Sequence, residues 1–150
     1  MKRFVFTLER IRSYKDQVLN KEKNTLGRLQ QNRDAIAKRI SDLENYRVLK
    51  QAERQRKQRS GMNASELTSY RFFMENTALQ LEDLRAALAK AEIEVERQLR
   101  IVVAASQEVS GLDKLEEKQR EEYRAQEAKE SELLISEHLV TSLHSKAGTF

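Results

Sequence analysis

The chain has 150 residues, no proline, no cysteine and only four glycines, with 35% charged and 6% aromatic residues. Proline and glycine break or weaken helix interiors, so their scarcity permits long helices, while the low aromatic content argues against a three-dimensional globular core. A chain without cysteine has no disulfide scaffold and no thiolate metal site. The composition fits a coiled coil, which buries a seam rather than a core.

At the N-terminus, the opening Phe4-Val5-Phe6 could suggest a leader, but the apolar stretch stops at Thr7 and Glu9, Arg10 and Arg12 follow. No signal-peptide core is present, and the longest apolar run, 101–105, is far too short to span a bilayer. A cytoplasmic protein without membrane insertion is expected. In the first helix Phe4, Leu8, Ile11, Val18, Leu29, Ile36, Leu43 and Tyr46 fall on alternating three- and four-residue spacings, interrupted by Lys15, Glu22, Asn32 and Arg39. Such a face needs a partner helix.

Ser60-Gly61-Met62-Asn63-Ala64-Ser65-Glu66 is the strongest turn signal. Gly61 can take a positive φ and end a helix, and Asn63 followed by Glu66 has capping-box spacing. The expected layout is a single all-α domain over 1–150, with a helix over 4–59, a turn at 60–63, a helix over 64–140 and a frayed tail over 141–150.

Beyond the turn Leu67, Met74, Leu81, Leu88, Val95, Val102 and Val109 recur every seven residues, and Tyr70, Thr77, Leu84, Ala91, Gln98, Ala105 and Leu112 lie three further on. This is an a/d heptad frame. After Leu112 it is expected to shift through Leu115 and turn polar at Gln119 and Tyr123.

Charge selects the topology. Residues 1–60 carry 17 Lys or Arg and 7 Asp or Glu, while residues 61–150 carry 11 and 17. A parallel homodimer would align like-charged halves, whereas an antiparallel intramolecular hairpin lays the basic helix on the acidic one. At the helical rise the two helices span roughly 80 and 120 Å, so the second overhangs the first. Phe4 should face Leu115 to Gln119. The overhang begins acidic and turns apolar at Leu133, Leu134, Ile135, Leu139, Val140 and Leu143, which reads as a partner site or as a frayed end.

No catalytic, metal or cofactor motif is present. His138 and His144, six apart, do not share a helix face, and the paired carboxylates lie on a solvated helix with no cavity. The chain is therefore expected not to be an enzyme and to need no cofactor. The basic stretch Lys50, Arg54, Arg56, Lys57 and Arg59 could meet phosphates, but it lacks interleaved aromatics for base stacking. A solvated face is the plainer reading. Phe72 and Phe73 flank the seam residue Tyr70 and cannot both be covered by one partner helix, so at least one is a candidate anchor.

Three segments taken together resemble the FliJ family of flagellar type III export proteins. They are Phe4-x-Phe6-x-Leu8-x-x-Ile11, the turn with Glu66-Leu67-x-x-Tyr70-x-x-Phe73, and Leu112-x-Lys114-Leu115-x-Glu117-Lys118 running to Tyr123. The resemblance covers nearly the whole chain. It departs at Thr77, where a larger apolar residue is usual, and at Leu133-Leu134-Ile135, where an acidic ending is usual.

The resemblance implies an adaptor resembling the central stalk of rotary ATP synthases. Its open end would enter the ring of the hexameric export ATPase, and the region past the turn would contact the cytoplasmic domain of the export gate. It also implies escort of export chaperones, and peripheral association with the export apparatus at the inner membrane. Carried over, ATPase contacts fall on Phe4, Phe6, Leu8, Ile11, Leu115, Lys118 and Tyr123, and gate contacts on Tyr70, Phe72 and Phe73. For Leu8, Ile11 and Leu115, plain seam packing is the stronger reading. The runners-up are an injectisome stalk of the same architecture, an RNA-binding arm and a self-associating structural coiled coil. A hairpin should be an elongated monomer near 17.5 kDa.

Overall fold

The computed structural model describes residues 2–148, in which two helices, α1 (Glu9–Ser60) and α2 (Ala64–Ala147), pack against each other as an antiparallel hairpin. Among the described residues there is no strand. The chain reverses at 61–63. Gly61 takes φ 102°, a conformation costly for any residue with a Cβ, and the Asn63 side chain accepts from the Glu66 N–H at 2.8 Å. Glu9 lies in the first turn of α1 and Lys57 and Arg59 in its last, the charge order that the helix dipole favours.

The chain divides into two compact units. One contains residues 20–103. Its seam on α1 runs through Glu22, Leu26, Leu29, Arg33, Ile36, Ile40, Leu43, Arg47, Lys50 and Arg54. On α2 it runs through Tyr70, Met74, Thr77, Leu81, Leu84, Leu88, Ala91, Val95, Gln98 and Val102, all buried or half-buried. Both strings step by three and four, the spacing that keeps a stripe on one helix face. Leu81, 2% exposed, is its most enclosed residue. Polar side chains interrupt the apolar layers, and two of these layers are bonded across the hairpin. Gln98 donates to the backbone carbonyl of Glu22 at 3.1 Å, and Arg47 donates to Thr77 Oγ1 at 3.0 Å and to the Met74 carbonyl at 3.3 Å. In these two layers the buried polar groups are partnered, which avoids the larger penalty of leaving them bare.

The other unit contains residues 1–19 and 104–150, of which 2–19 and 104–148 are described. Leu8, Arg12, Lys15 and Leu19 form the seam on α1 and its approach, facing Ala105, Val109, Leu112, Glu116, Gln119 and Tyr123. From Arg124 to Ala147, every residue of α2 except Ser142 is exposed, so the second helix does overhang the first.

Several expectations are corrected. Residues 4–8 are not helical: α1 begins at Glu9, and Phe4 to Leu8 form a lead-in that ends in a turn at Thr7 and Leu8, closed by Glu9 N–H donating to the Phe6 carbonyl at 3.2 Å. Residues 141–147 are not a frayed tail but the last turns of α2. The frame does not shift at Leu112; it continues in step to Glu116, Gln119 and Tyr123, because the Glu116 carboxylate is matched by Arg12 and needs no detour. On α1, Lys15 and Glu22 do not interrupt the seam but belong to it, whereas Ile11 and Tyr46 are exposed beside it. Leu67, the first residue of the heptad series, is exposed as well. Phe4 packs on Tyr123, one turn beyond the expected Leu115 to Gln119.

Candidate interaction surfaces

In the unit that holds the N-terminus, the lead-in segment lies against α2 and is held there by aromatic and charged side chains. The rings of Phe4 and Tyr123 meet edge-on with centroids 5.5 Å apart. The Arg120 guanidinium stands 4.6 Å from the Phe4 centroid, and the Tyr123 hydroxyl donates to the Lys2 carbonyl. Phe6, 6% exposed, lies under the Arg12 guanidinium at 5.3 Å. Edge-to-face rings and cations over ring faces are both favoured by the ring quadrupole.

Glu116 ties these groups together. Arg12 and Arg120 both donate to its carboxylate, and Arg12 also reaches Glu9 and, at 3.5 Å, Asp113. The Arg12 hydrogen bond is the main reason that the Glu116 carboxyl titrates below its usual range, with Arg120 adding to it; the same bond raises Arg12. One turn into the helix, Lys15 pairs with Glu108 at 2.9 Å, which raises the lysine.

Of the residues that the resemblance assigns to an ATPase, this unit brings Phe4, Phe6 and Tyr123 together. Leu8 and Leu115 are half-buried in the packing between the helices, while Ile11 and Lys118 are exposed. The Phe6 ring is covered, so it acts as the floor of the lead-in segment rather than as a free contact.

In the unit that holds the turn, Phe72 and Phe73 part company. Phe73 meets the Tyr46 ring edge-on at 5.4 Å and is half-buried, while Phe72 is 70% exposed. Tyr70 occupies its seam position beside Glu53 and Lys57, with the Lys57 ammonium 5.7 Å from its ring. Hydrogen bonding to Tyr70 lowers Glu53 and raises Lys57. These residues border a cleft of about 310 Å³ that opens to solvent beside the turn.

Exposed apolar residues continue from Phe72 along the outer side of α2. Leu79 and Ile93 are exposed, and with Ala86 they recur at steps of seven from Phe72, so one line of side chains faces away from the seam. The heptad arithmetic that identified the seam carried this second stripe too, at an offset of five, where the sequence reading did not look for it.

The basic stretch near the turn is divided among roles. Lys50 and Lys57 both pair with Glu53, at 3.4 and 3.6 Å. Arg54 lies in the seam with its Nε enclosed and without a hydrogen-bond partner, and Arg56 and Arg59 are exposed. His138 and His144 are exposed on the overhang, and among the described residues no group of three or more His, Cys, Asp or Glu is placed to hold a metal ion. No described helix is long and apolar enough to cross a membrane.

A family model for the flagellar FliJ protein matches residues 4–147. No curated protein and no solved structure matches the chain. The chain belongs to the FliJ family, the non-catalytic coiled-coil components of flagellar protein export.

Proposed function

We propose that the protein is a stalk-like adaptor, with no chemistry of its own, that inserts into the hexameric export ATPase and links it to the cytoplasmic domain of the membrane export gate. The observation that carries this reading is the family match over 4–147, which spans both proposed contact surfaces. The ATPase-facing surface consists of Phe4 and Tyr123, with Ile11 and Lys118 exposed in the same unit and Leu8 and Leu115 behind them. Phe6 supports this surface from beneath.

The gate-facing surface is Phe72, with Tyr70 and Phe73 as its packing support. An exposed phenylalanine continued by Leu79 and Ile93 is the kind of apolar stripe that helix or groove partners cover. The protein would work in the cytoplasm, at the inner-membrane face of the export apparatus, and also meet export chaperones there.

The test is a paired binding assay with the cognate ATPase and the gate's cytoplasmic domain. Tyr123→Ala should weaken binding to the ATPase alone, and Phe72→Ala binding to the gate domain alone. Loss of neither interaction, or binding to neither partner by the unaltered protein, would remove the adaptor reading.

A further inference from the structure

Past Tyr123 α2 continues for more than six turns with its side chains exposed. Leu133, Leu134, Ile135, Leu139, Val140 and Leu143 are all large, apolar and more than half exposed. At 100° per residue, five of the six (all but Leu134) fall on one face about 160° wide. Ile135, Leu139 and Leu143 run along it at steps of four. A contiguous apolar face of this kind on a soluble helix marks a place that something covers.

The charges beside that face are ordered along the helix. Residues 121–137 carry Glu121, Glu122, Glu127, Glu130, Glu132 and Glu137 against only Arg124 and Lys129. Residues 138–147 carry no acid, and the last turn is basic through His144 and Lys146. The segment is thus acidic first and basic last, with Ile135 and Leu143 equidistant from Leu139 on the apolar face.

We propose that this face docks a second copy of the chain, the two overhangs pairing antiparallel about a two-fold axis at Leu139. In that arrangement Leu139 meets its own counterpart and Ile135 meets the Leu143 of the other copy. The acidic stretch around Glu132 lies beside the basic last turn around Lys146. A parallel pairing would set Glu130 and Glu132 against themselves and waste the polarity. An antiparallel two-fold contact is self-complementary, as a homodimer interface must be. The contact is confined to the overhang, so it leaves Phe4, Tyr123 and Phe72 uncovered. It stands or falls independently of the adaptor reading. The monomer expected from the sequence is then the dilute form.

The test uses the full chain. Sedimentation equilibrium over a wide concentration range should show the 17.5 kDa monomer giving way to a dimer. Leu139→Glu, which keeps a good helix former, should raise the dissociation constant at least about tenfold while leaving helicity unchanged. Because the chain has no cysteine, engineered thiols report single pairings. Ile135→Cys chains should cross-link to Leu143→Cys chains in preference to themselves. Thr141→Cys, on the opposite face at the same height, should cross-link poorly. A monomer at every concentration would overturn the proposal. So would a dimer indifferent to Leu139→Glu, or one in which Thr141→Cys cross-links as readily as the Ile135→Cys and Leu143→Cys pair.

Discussion

Phe73 meets Tyr46 edge-on across the hairpin, with ring centroids 5.4 Å apart, and this contact settles what its neighbour can do. With Phe73 turned to α1, Phe72 is turned to solvent. The two adjacent phenylalanines therefore divide between packing and recognition. Phe73→Ala should destabilise the hairpin by about 1–2 kcal/mol, less than a fully buried ring because Phe73 is only half-buried. Phe72→Ala should leave the thermal midpoint within about a degree or two of the parent and weaken gate binding. Thermal unfolding and a binding titration on the same two variants check this. A large stability loss in Phe72→Ala would contradict the division.

The seam makes a second prediction. Leu81 is 2% exposed, and truncating it leaves a hole that neighbouring side chains cannot easily fill. Leu81→Ala should cost about 3 kcal/mol, and Leu88→Ala, at a half-buried position, about 2 kcal/mol. Urea unfolding of both variants measures the difference, and equal effects would show that burial does not rank the layers.

The turn gives a third. Nothing lies within 4 Å of where a Cβ on Gly61 would sit, yet its φ is 102°. Any loss in Gly61→Ala is then a backbone cost, of about 1 kcal/mol. Asn63→Ala removes the side-chain oxygen that caps the Glu66 N–H and should cost about 1 kcal/mol as well. If Gly61→Ala proved as stable as the parent, the left-handed turn would be wrong.

Acid sensitivity follows from Glu116. Its folded-state carboxyl titrates low because Arg12 and Arg120 stabilise the ionised form. A depressed folded pKa contributes stability that is fully present above the unfolded pKa and lost as pH falls through the folded value. The clamp on the lead-in segment should therefore hold at neutral pH and loosen below the ordinary carboxylate range. Hydrogen exchange at residues 9–19 and 110–120 should quicken on acidification, and Glu116→Gln should show that faster exchange already at neutral pH. No difference between Glu116→Gln and the parent at neutral pH would show that the ion pair does not secure this unit.

How much of this was legible in the sequence depended on which helix carried the signal. On α2 the seam from Met74 to Leu112 is mostly apolar, so its step of three and four could be read directly. On α1 half of the seam positions are charged, among them Arg12, Lys15, Glu22, Arg33 and Arg47. Apolar counting therefore slid onto Ile11 and Tyr46, which sit beside the true face. Four of those charges meet a specific group on α2, Arg12 at Glu116, Lys15 at Glu108, Glu22 at Gln98 and Arg47 at Thr77, and pairing across more than 25 residues leaves no local trace.

The lead-in segment was hidden for the same reason. No proline or glycine separates Phe4 from Glu9, so nothing local stops a helix there. Burial of Phe6 and the contacts of Phe4 with Tyr123 and Arg120 hold the non-helical form instead. The motif residues Phe4, Phe6 and Tyr123 were visible as a set, but that Phe6 is covered while Phe4 and Tyr123 form the outer layer emerges only from the packing.

The measurement that bears most directly on the adaptor role is ATP hydrolysis by the cognate flagellar export ATPase with and without this protein, read together with ring formation. Stimulation of hydrolysis with ring assembly is the predicted result, diminished by Tyr123→Ala and abolished on removal of residues 1–12. An ATPase that neither binds the protein nor changes its rate in its presence would contradict the account.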